Sequence, residues 1–251
     1  MLGTGTSYGV PMIGCDCDVC NSLDPHDKRT RSSIWVRFGR TRLLVDASPE
    51  LRLQCVANNI SRADAVLFTH HHADHVNGID DLRRFTSMTK QAVPCYGMGQ
   101  TLDNLFRSFS YAFDADPGSP HSRPRLELHE IGTGPFTIGD ARIIPIPLMH
   151  GPLPVLGFRF GSFAYCTDCG FIPEESLALL TDLDVLVLGA PLRRRHPAHF
   201  NLEEAVEMAQ RIGAPQTYFT HITHYLGHEA TNRELPDAMA LAYDGQRIAG
   251  Q

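Results

Sequence analysis

The chain has 251 residues, 43% hydrophobic and 20% charged, enough to bury one sizeable core and to form a single domain over residues 1–251. A net charge of −6 gives no general attraction to nucleic acid or to an anionic membrane surface, which points to a small-molecule substrate. No run approaches the roughly 18 apolar residues of a membrane helix, and the first ten residues lack the basic and apolar regions of a signal peptide, so a cytoplasmic location without membrane contact is expected. Seven cysteines, an odd number with three packed into Cys15, Cys17 and Cys20, do not resemble a secreted disulfide framework.

In chain order, Leu2 is followed at once by Gly3-Thr4-Gly5, a turn signal so close to the start that it reads as a start slightly downstream of the true one. Branched and aromatic residues bounded by Gly, Pro or Asp predict strands at 33–38, 42–46, 65–69, 142–148, 155–160, 162–167, 185–188 and 217–220, several close enough to form hairpins. Helical spacing marks 50–57, 79–88, 102–109, 174–180 and 202–212, the last with Asn201 as N-cap and Gly213 as stop. Residues 112–125, with three prolines and Gly118, read as a long surface loop, expected over the active site. This mixture predicts sheets covered by helices.

The strongest signal is Thr69-His70-His71-His72-Ala73-Asp74-His75, directly after the apolar run 65–68. In an extended segment the side-chain period is two, so His70 and His72 share a side and His71 points away, to packing or a supporting hydrogen bond. If the chain then turns into a helix, Asp74 and His75 reach a second point nearby. Imidazoles with a carboxylate suit Zn²⁺, Mn²⁺ or Fe²⁺. Asp46, ending a strand before a turn, is a candidate for orienting one of these histidines. The Cys15-x-Cys17-x-x-Cys20 loop supplies three thiolates and leaves a tetrahedral zinc one ligand short; His224, just past His221, is a sensible fourth. An iron–sulfur site and reduced cysteines without metal are the competing readings. Cys166-x-x-Cys169 has redox spacing but brackets Asp168 in a β-like run, and reads with Cys55 and Cys95 as buried thiols.

The T-H-x-H-x-D-H motif after a strand resembles the signature of the metallo-β-lactamase superfamily. The resemblance implies an α/β fold, the four-layer αβ/βα sandwich, with a metal site at one edge between the sheets. It also implies later ligands in order, and His150, Asp168 and His221 each sit at the end of a predicted strand. On that pattern His70, His72 and His150 hold one metal, Asp74, His75 and His221 the other, and Asp168 bridges them, with Asp74 also orienting the nucleophile. Gly3-Thr4-Gly5, Gly9-Val10-Pro11, the cysteine cluster, Val45-Asp46-Ala47, Thr220-His221-Ile222-x-His224 and Tyr243-Asp244-Gly245 are together similar to the PhnP-like phosphoribosyl cyclic phosphate phosphodiesterases. That narrower resemblance implies a binuclear phosphodiesterase opening a small cyclic phosphate with metal-bound hydroxide, two catalytic Zn, Mn or Fe ions and one structural zinc. It also implies a leaving-group histidine before the helix at 202, taken as an imidazolium at His199 with His196 as fallback, and a homodimer. Arg193, Arg194 and Arg195 are candidates for contacting substrate phosphate. The alternatives are another hydrolase on the same scaffold (a tRNA 3′-processing nuclease, a cyclic-nucleotide phosphodiesterase or a thioesterase) and a metal-binding sensor without turnover.

Overall fold

The first paired strands are β1 (Ile34–Phe38) and β2 (Thr41–Val45), joined antiparallel through Gly39 and Arg40. Along β2, Leu43 and Val45 join one buried cluster while Leu44, pointing the other way, joins another. That alternation sets the layering. In this computed structural model, which describes residues 1–113 and 123–249, the first sheet runs β1-β2-β3-β4-β5, with β3 (Ala65–Leu67), β4 (Val93–Gly97) and β5 (Leu126–Glu130) added in parallel. The second sheet contains β6 (Phe136–Ile138), β7 (Ala141–His150), β8 (Leu153–Phe160), β9 (Phe163–Cys166), β10 (Val185–Gly189), β11 (Gln216–Thr220) and β12 (Met239–Leu241). β6 to β9 form an antiparallel meander, and β9 to β12 continue in parallel.

The hairpins β1–β2, β6–β7, β7–β8 and β8–β9 all turn on two residues led by glycine: Gly39, Gly139, Gly151 and Gly161, each with φ between 55° and 59°. Tight hairpins need that left-handed first position, where any other residue pays for its Cβ.

Between the sheets, Leu43, Val45, Ala65 and Leu67 meet Ile143, Leu156, Phe158, Tyr165 and Val187. On the far side of the first sheet, Leu44 and Val66 pack under helices carrying Leu51, Leu82, Phe85 and Leu105. On the far side of the second, Ala164, Leu186 and Leu188 pack under the helix Leu202–Ile212. The layers are therefore helix, sheet, sheet, helix, as the resemblance implies. That last helix has the predicted ends: Asn201 Oδ1 accepts from Glu204 N (2.9 Å), Glu204 Oε2 accepts from Asn201 N (3.0 Å), and Gly213 takes φ 76°.

The predicted strands all form, with ends shifted by up to two residues. β4, β5, β6 and β12 are additional. β4 carries Pro94 inside it, β5 alternates with charged residues at a sheet edge, and β6 and β12 are three residues long, so none presents a branched apolar run. Gly3-Thr4-Gly5 is not a turn: Gly3 bridges Ser33, and Gly5 bridges Arg31 and Ile222. A Cβ on Gly3 would collide with the Arg31 carbonyl, which is why glycine stands there. Asp244 locks this segment down, accepting from Thr4 N (2.9 Å), Thr4 Oγ1 (2.7 Å), Thr30 N (2.7 Å) and Thr30 Oγ1 (2.5 Å). Of the predicted loop at 112–125, residues 114–122 lie outside the described residues.

Candidate metal centres

Parallel strands that end at one edge bring their following residues together. Past β3 the chain bends at Thr69 and, with His72 extended, enters the short helix Ala73–Val76, so His70 and His72 come first and Asp74 and His75 follow from the helix. His150 is the last residue of β7, Asp168 lies two residues beyond β9, and His221 follows β11 directly. Leu156 N donates to Thr69 O (3.0 Å), stitching the two sheets at this edge. Asp46, Asp168 and His221 take φ values of 63°, 51° and 60°. Such left-handed non-glycine residues are strained, and here the strain aims side chains off strand ends.

The donor atoms of His70, His72 and His150 converge, as do those of Asp74, His75 and His221, each set within 4.8 Å. Asp168 reaches both sides, grouping with His70 and His75 and also with His150 and His199. His75 Nε2 lies 3.1 Å from Asp168 Oδ2 and 3.3 Å from Asp74 Oδ2, and His221 Nε2 lies 3.2 Å from Asp168 Oδ1. Two donors each ~2.0–2.1 Å from a tetrahedral ion would stand about 3.3 Å apart. His70 Nε2 and His75 Nε2 are buried without a hydrogen bond. Buried polar atoms are rarely left so, and a cation fits these two. His71 joins none of these groups.

The supporting contacts free the correct nitrogens. His75 Nδ1 bonds Asp46 Oδ2 (2.7 Å), and Asp46 is itself held by Thr69 N (2.9 Å) and Thr69 Oγ1 (2.9 Å). His150 Nδ1 bonds Ala198 O (2.9 Å), His221 Nδ1 bonds Ser32 Oγ (3.2 Å), and His70 Nδ1 bonds Thr69 Oγ1 (3.0 Å). In each case Nε2 is left for an ion. Asp46 thus does what its position at the strand end suggests. Ser32 and Ala198 carry no motif, and a backbone carbonyl leaves no trace in sequence.

Burial penalises every charge in this cluster, and partners decide the rest. Against that penalty, Asp168, Asp46 and Asp74 hold His75 well above the usual imidazole range. His221 and His75 hold Asp168 well below the usual carboxylate range, again against burial. His70, with His75 beside it, is driven well down by burial. The carboxylates therefore favour a positive charge at His75, carried by its proton until a cation displaces it, while burial keeps His70 a neutral donor.

His199 sits beside these ligands, its ring 4.5 Å from that of His150 and 5.2 Å from that of His221. Gly170 makes the approach possible, since a Cβ there would come within 2.8 Å of the Ala198 carbonyl carbon. Burial first, then His221, pushes His199 down to about 3, which favours a neutral imidazole over the imidazolium expected from sequence. Its buried Nδ1 has no partner. His196 lies exposed one ring further out, 4.9 Å from His199, with Nδ1 accepting from Ala198 N (3.2 Å). The three arginines separate: Arg193 pairs with Glu234 (2.6 Å), Arg195 lies 3.6 Å from Glu204, and Arg194 stands over the Tyr225 ring at 5.8 Å.

At the second cluster, His224 Nδ1 lies 3.2, 3.3 and 3.6 Å from the sulfurs of Cys15, Cys17 and Cys20. A zinc bound by sulfur at ~2.3 Å and nitrogen at ~2.0–2.1 Å would space them about 3.6 Å apart. The backbone N–H of Cys20 holds the Cys17 thiol down at about 7, against some burial, while burial pushes Cys20 up to about 11. Cys55, Cys95, Cys166 and Cys169 are buried, and burial raises each thiol well above its ordinary range, which fits packing rather than redox chemistry.

Residues 41–222 match the family model of the β-lactamase superfamily domain. A solved structure described as a new diphosphatase from the PhnP family is 41% identical, covers 100% of this chain and 96% of its own, and superposes with a TM-score of 0.92. The octanoyltransferase of Porphyromonas gingivalis is 38% identical over 98% of this chain, and the chain spans about half (50%) of that protein. Zn²⁺-bound PqqB from Methylobacterium extorquens shares the fold at 19% identity and a TM-score of 0.80, covering 98% of this chain and 97% of its own. With two sheets inside two helical layers and a converging set of histidine and aspartate donors, the chain belongs to the metallo-β-lactamase superfamily.

Proposed function

We propose that the chain is a binuclear phosphodiesterase acting on a small phosphate diester such as phosphoribosyl 1,2-cyclic phosphate. The observation that carries this reading is the pair of donor triads sharing Asp168, with His199 packed against a member of each. The whole-chain likeness to a PhnP-family diphosphatase supports it. His70, His72 and His150 would hold one ion, Asp74, His75 and His221 the other, and Asp168 both. Such a pair, whether of zinc, manganese or iron, supplies positive charge for a phosphoryl group and makes bound water more acidic.

The chain's own residues do the rest. Asp74, held below the ordinary carboxylate range by His75 and His221 despite its burial, stays an acceptor that orients the attacking water. Asp46 fixes the ring of His75 and so the position of its free nitrogen. His199, neutral, offers an N–H toward the departing oxygen and needs no ionisation to polarise it. Cys15, Cys17, Cys20 and His224 would hold one structural zinc outside the reaction.

A second reading, acyl thioester hydrolysis, draws on the match to half of a protein named octanoyltransferase. One assay decides between them: metal-loaded protein given phosphoribosyl 1,2-cyclic phosphate, bis(4-nitrophenyl) phosphate and an octanoyl thioester. Hydrolysis of the cyclic diester at the highest kcat/KM is expected. Thioester cleavage with both diesters untouched would replace the first reading by the second.

A further inference from the structure

The two proposed catalytic ions are braced from different parts of the chain. His70 and His150, donors to the first, lean on Thr69 Oγ1 and on the Ala198 carbonyl. The imidazole donors to the second, His75 and His221, both trace back to one dipeptide, Ser32-Ser33, which lies just ahead of β1 and is buried at both residues.

Once Nε2 of His221 takes a cation, the single proton of the neutral ring stands on Nδ1 and needs an acceptor. Ser32 Oγ lies 3.2 Å away. A hydroxyl can donate or accept, so by itself it suits either tautomer. Here the choice is made elsewhere, because Ser32 Oγ donates its one proton to Gly5 O (3.0 Å) and keeps its oxygen free to accept. Ser32 is wholly buried, so bulk water does not replace it. The same amino-terminal residues grip the backbone just past His221: Ile222 N donates to Thr4 O (2.8 Å) and Thr6 N to Ile222 O (3.2 Å), against the strain of φ 60° at His221.

Ser33 serves His75 by way of Asp46. Its Oγ proton is shared between Asp46 O (2.9 Å) and Val45 O (3.1 Å), which fixes the backbone where Asp46 takes φ 63°. The Asp46 carboxylate then takes His75 Nδ1 at 2.7 Å. Leu2 N and Gly3 N both donate to Ser33 O (2.9 and 3.2 Å), so residues 2–5 back both serines. Among the described residues, neither serine hydroxyl bonds His70, His72 or His150.

Resting on the two-ion reading, we infer that Ser32 and Ser33 are positioning residues for the second catalytic ion, with the Gly5 carbonyl setting the direction of the Ser32 hydroxyl. Neither touches ion or substrate: Ser32 acts through His221 and Ser33 through Asp46. Loss of a hydroxyl here therefore falls on one ion of the pair.

The test is graded withdrawal of zinc from the metal-loaded chain by a chromophoric chelator, with Tm read alongside. Ser32→Ala is expected to weaken one catalytic ion on the order of 10–100-fold and to leave the other, and the zinc of the cysteine cluster, unchanged. Ser32→Thr keeps the hydroxyl and should keep the affinity. Ser33→Ala should weaken the same ion by less, and should add little on top of Asp46→Asn, since both work through one carboxylate. In the cobalt(II)-loaded chain the His221 Nδ1–H gives a paramagnetically shifted proton signal, and Ser32→Ala should hasten its exchange with solvent. A general loss of stability would instead spread over every ligand histidine. Ser32→Ala holding both catalytic ions as tightly as the unaltered chain, or weakening both equally, would overturn the inference and leave the two-ion reading standing. An unaltered chain with no second ion at the histidine and aspartate cluster would overturn that reading, and the inference with it.

Discussion

The two ligand clusters are built from opposite materials. The histidine and aspartate cluster gathers side chains from the ends of β3, β7, β9 and β11, buries most of them, and strains the backbone at Asp168 and His221. The cysteine cluster takes three donors from one short loop, leaves Cys15 and Cys17 partly open, and borrows only His224 from the body of the fold. A site assembled by the whole architecture is rigid and dry, which suits chemistry. A site assembled by one loop ties that loop down and contributes folding energy. On the proposed reading, the first cluster carries catalysis and the second tethers the loop.

The comparison breaks if a change in one cluster has the effect expected of the other. Asp168→Asn keeps a side chain that tolerates the left-handed backbone but removes the shared charge. It should lower kcat by more than ~100-fold, beyond what changes outside the ligand shell cost, with circular dichroism and Tm nearly unchanged. His199→Ala should retain both catalytic ions and lose on the order of 10²-fold or more, with the greatest loss for esters with poor leaving groups. Equal loss for activated and unactivated esters would remove its role at the leaving oxygen. Asp46→Asn keeps an acceptor for Thr69 but alters the bond to His75, and metal titration should show roughly 10–100-fold weaker binding of one catalytic ion.

Cys17→Ser should lower Tm by on the order of 5 °C and change kcat for bis(4-nitrophenyl) phosphate less than any of the three above. The smallest effect is one of pH. With Cys17 at about 7, its thiolate is largely formed above that pH and lost below it, so zinc retention by the cysteine cluster should weaken as pH falls through 7. Cys20, at about 11, must lose its proton to solvent when it binds the metal, so zinc uptake near neutral pH should release acid, measurable in a weakly buffered titration.

Much of this was legible in the sequence because the physics is local. Period-two alternation puts His70 and His72 on one side, and each later donor follows a run of branched residues long enough to be read as a strand. The capping box at Asn201 and Glu204 needs only adjacent residues. What stayed hidden depends on partners far away along the chain. β4 and β12 form because neighbouring strands pair with them, not because their own residues favour extension. The hydrogen bonds from His221 to Ser32 and from His150 to Ala198 span 189 and 48 positions, and Ala198 contributes only its backbone. Arg193, Arg194 and Arg195 are alike in sequence and are sorted only by which acids fold beside them.

The division of labour between the clusters is tested most directly by metal content per chain, measured by elemental analysis on the unaltered protein, Cys17→Ser and Asp168→Asn, each with its rate on bis(4-nitrophenyl) phosphate. The account predicts about three ions in the unaltered protein, one zinc lost in Cys17→Ser with most of the rate kept, and the zinc of the cysteine cluster kept in Asp168→Asn with the rate gone. An unchanged zinc content in Cys17→Ser would contradict it.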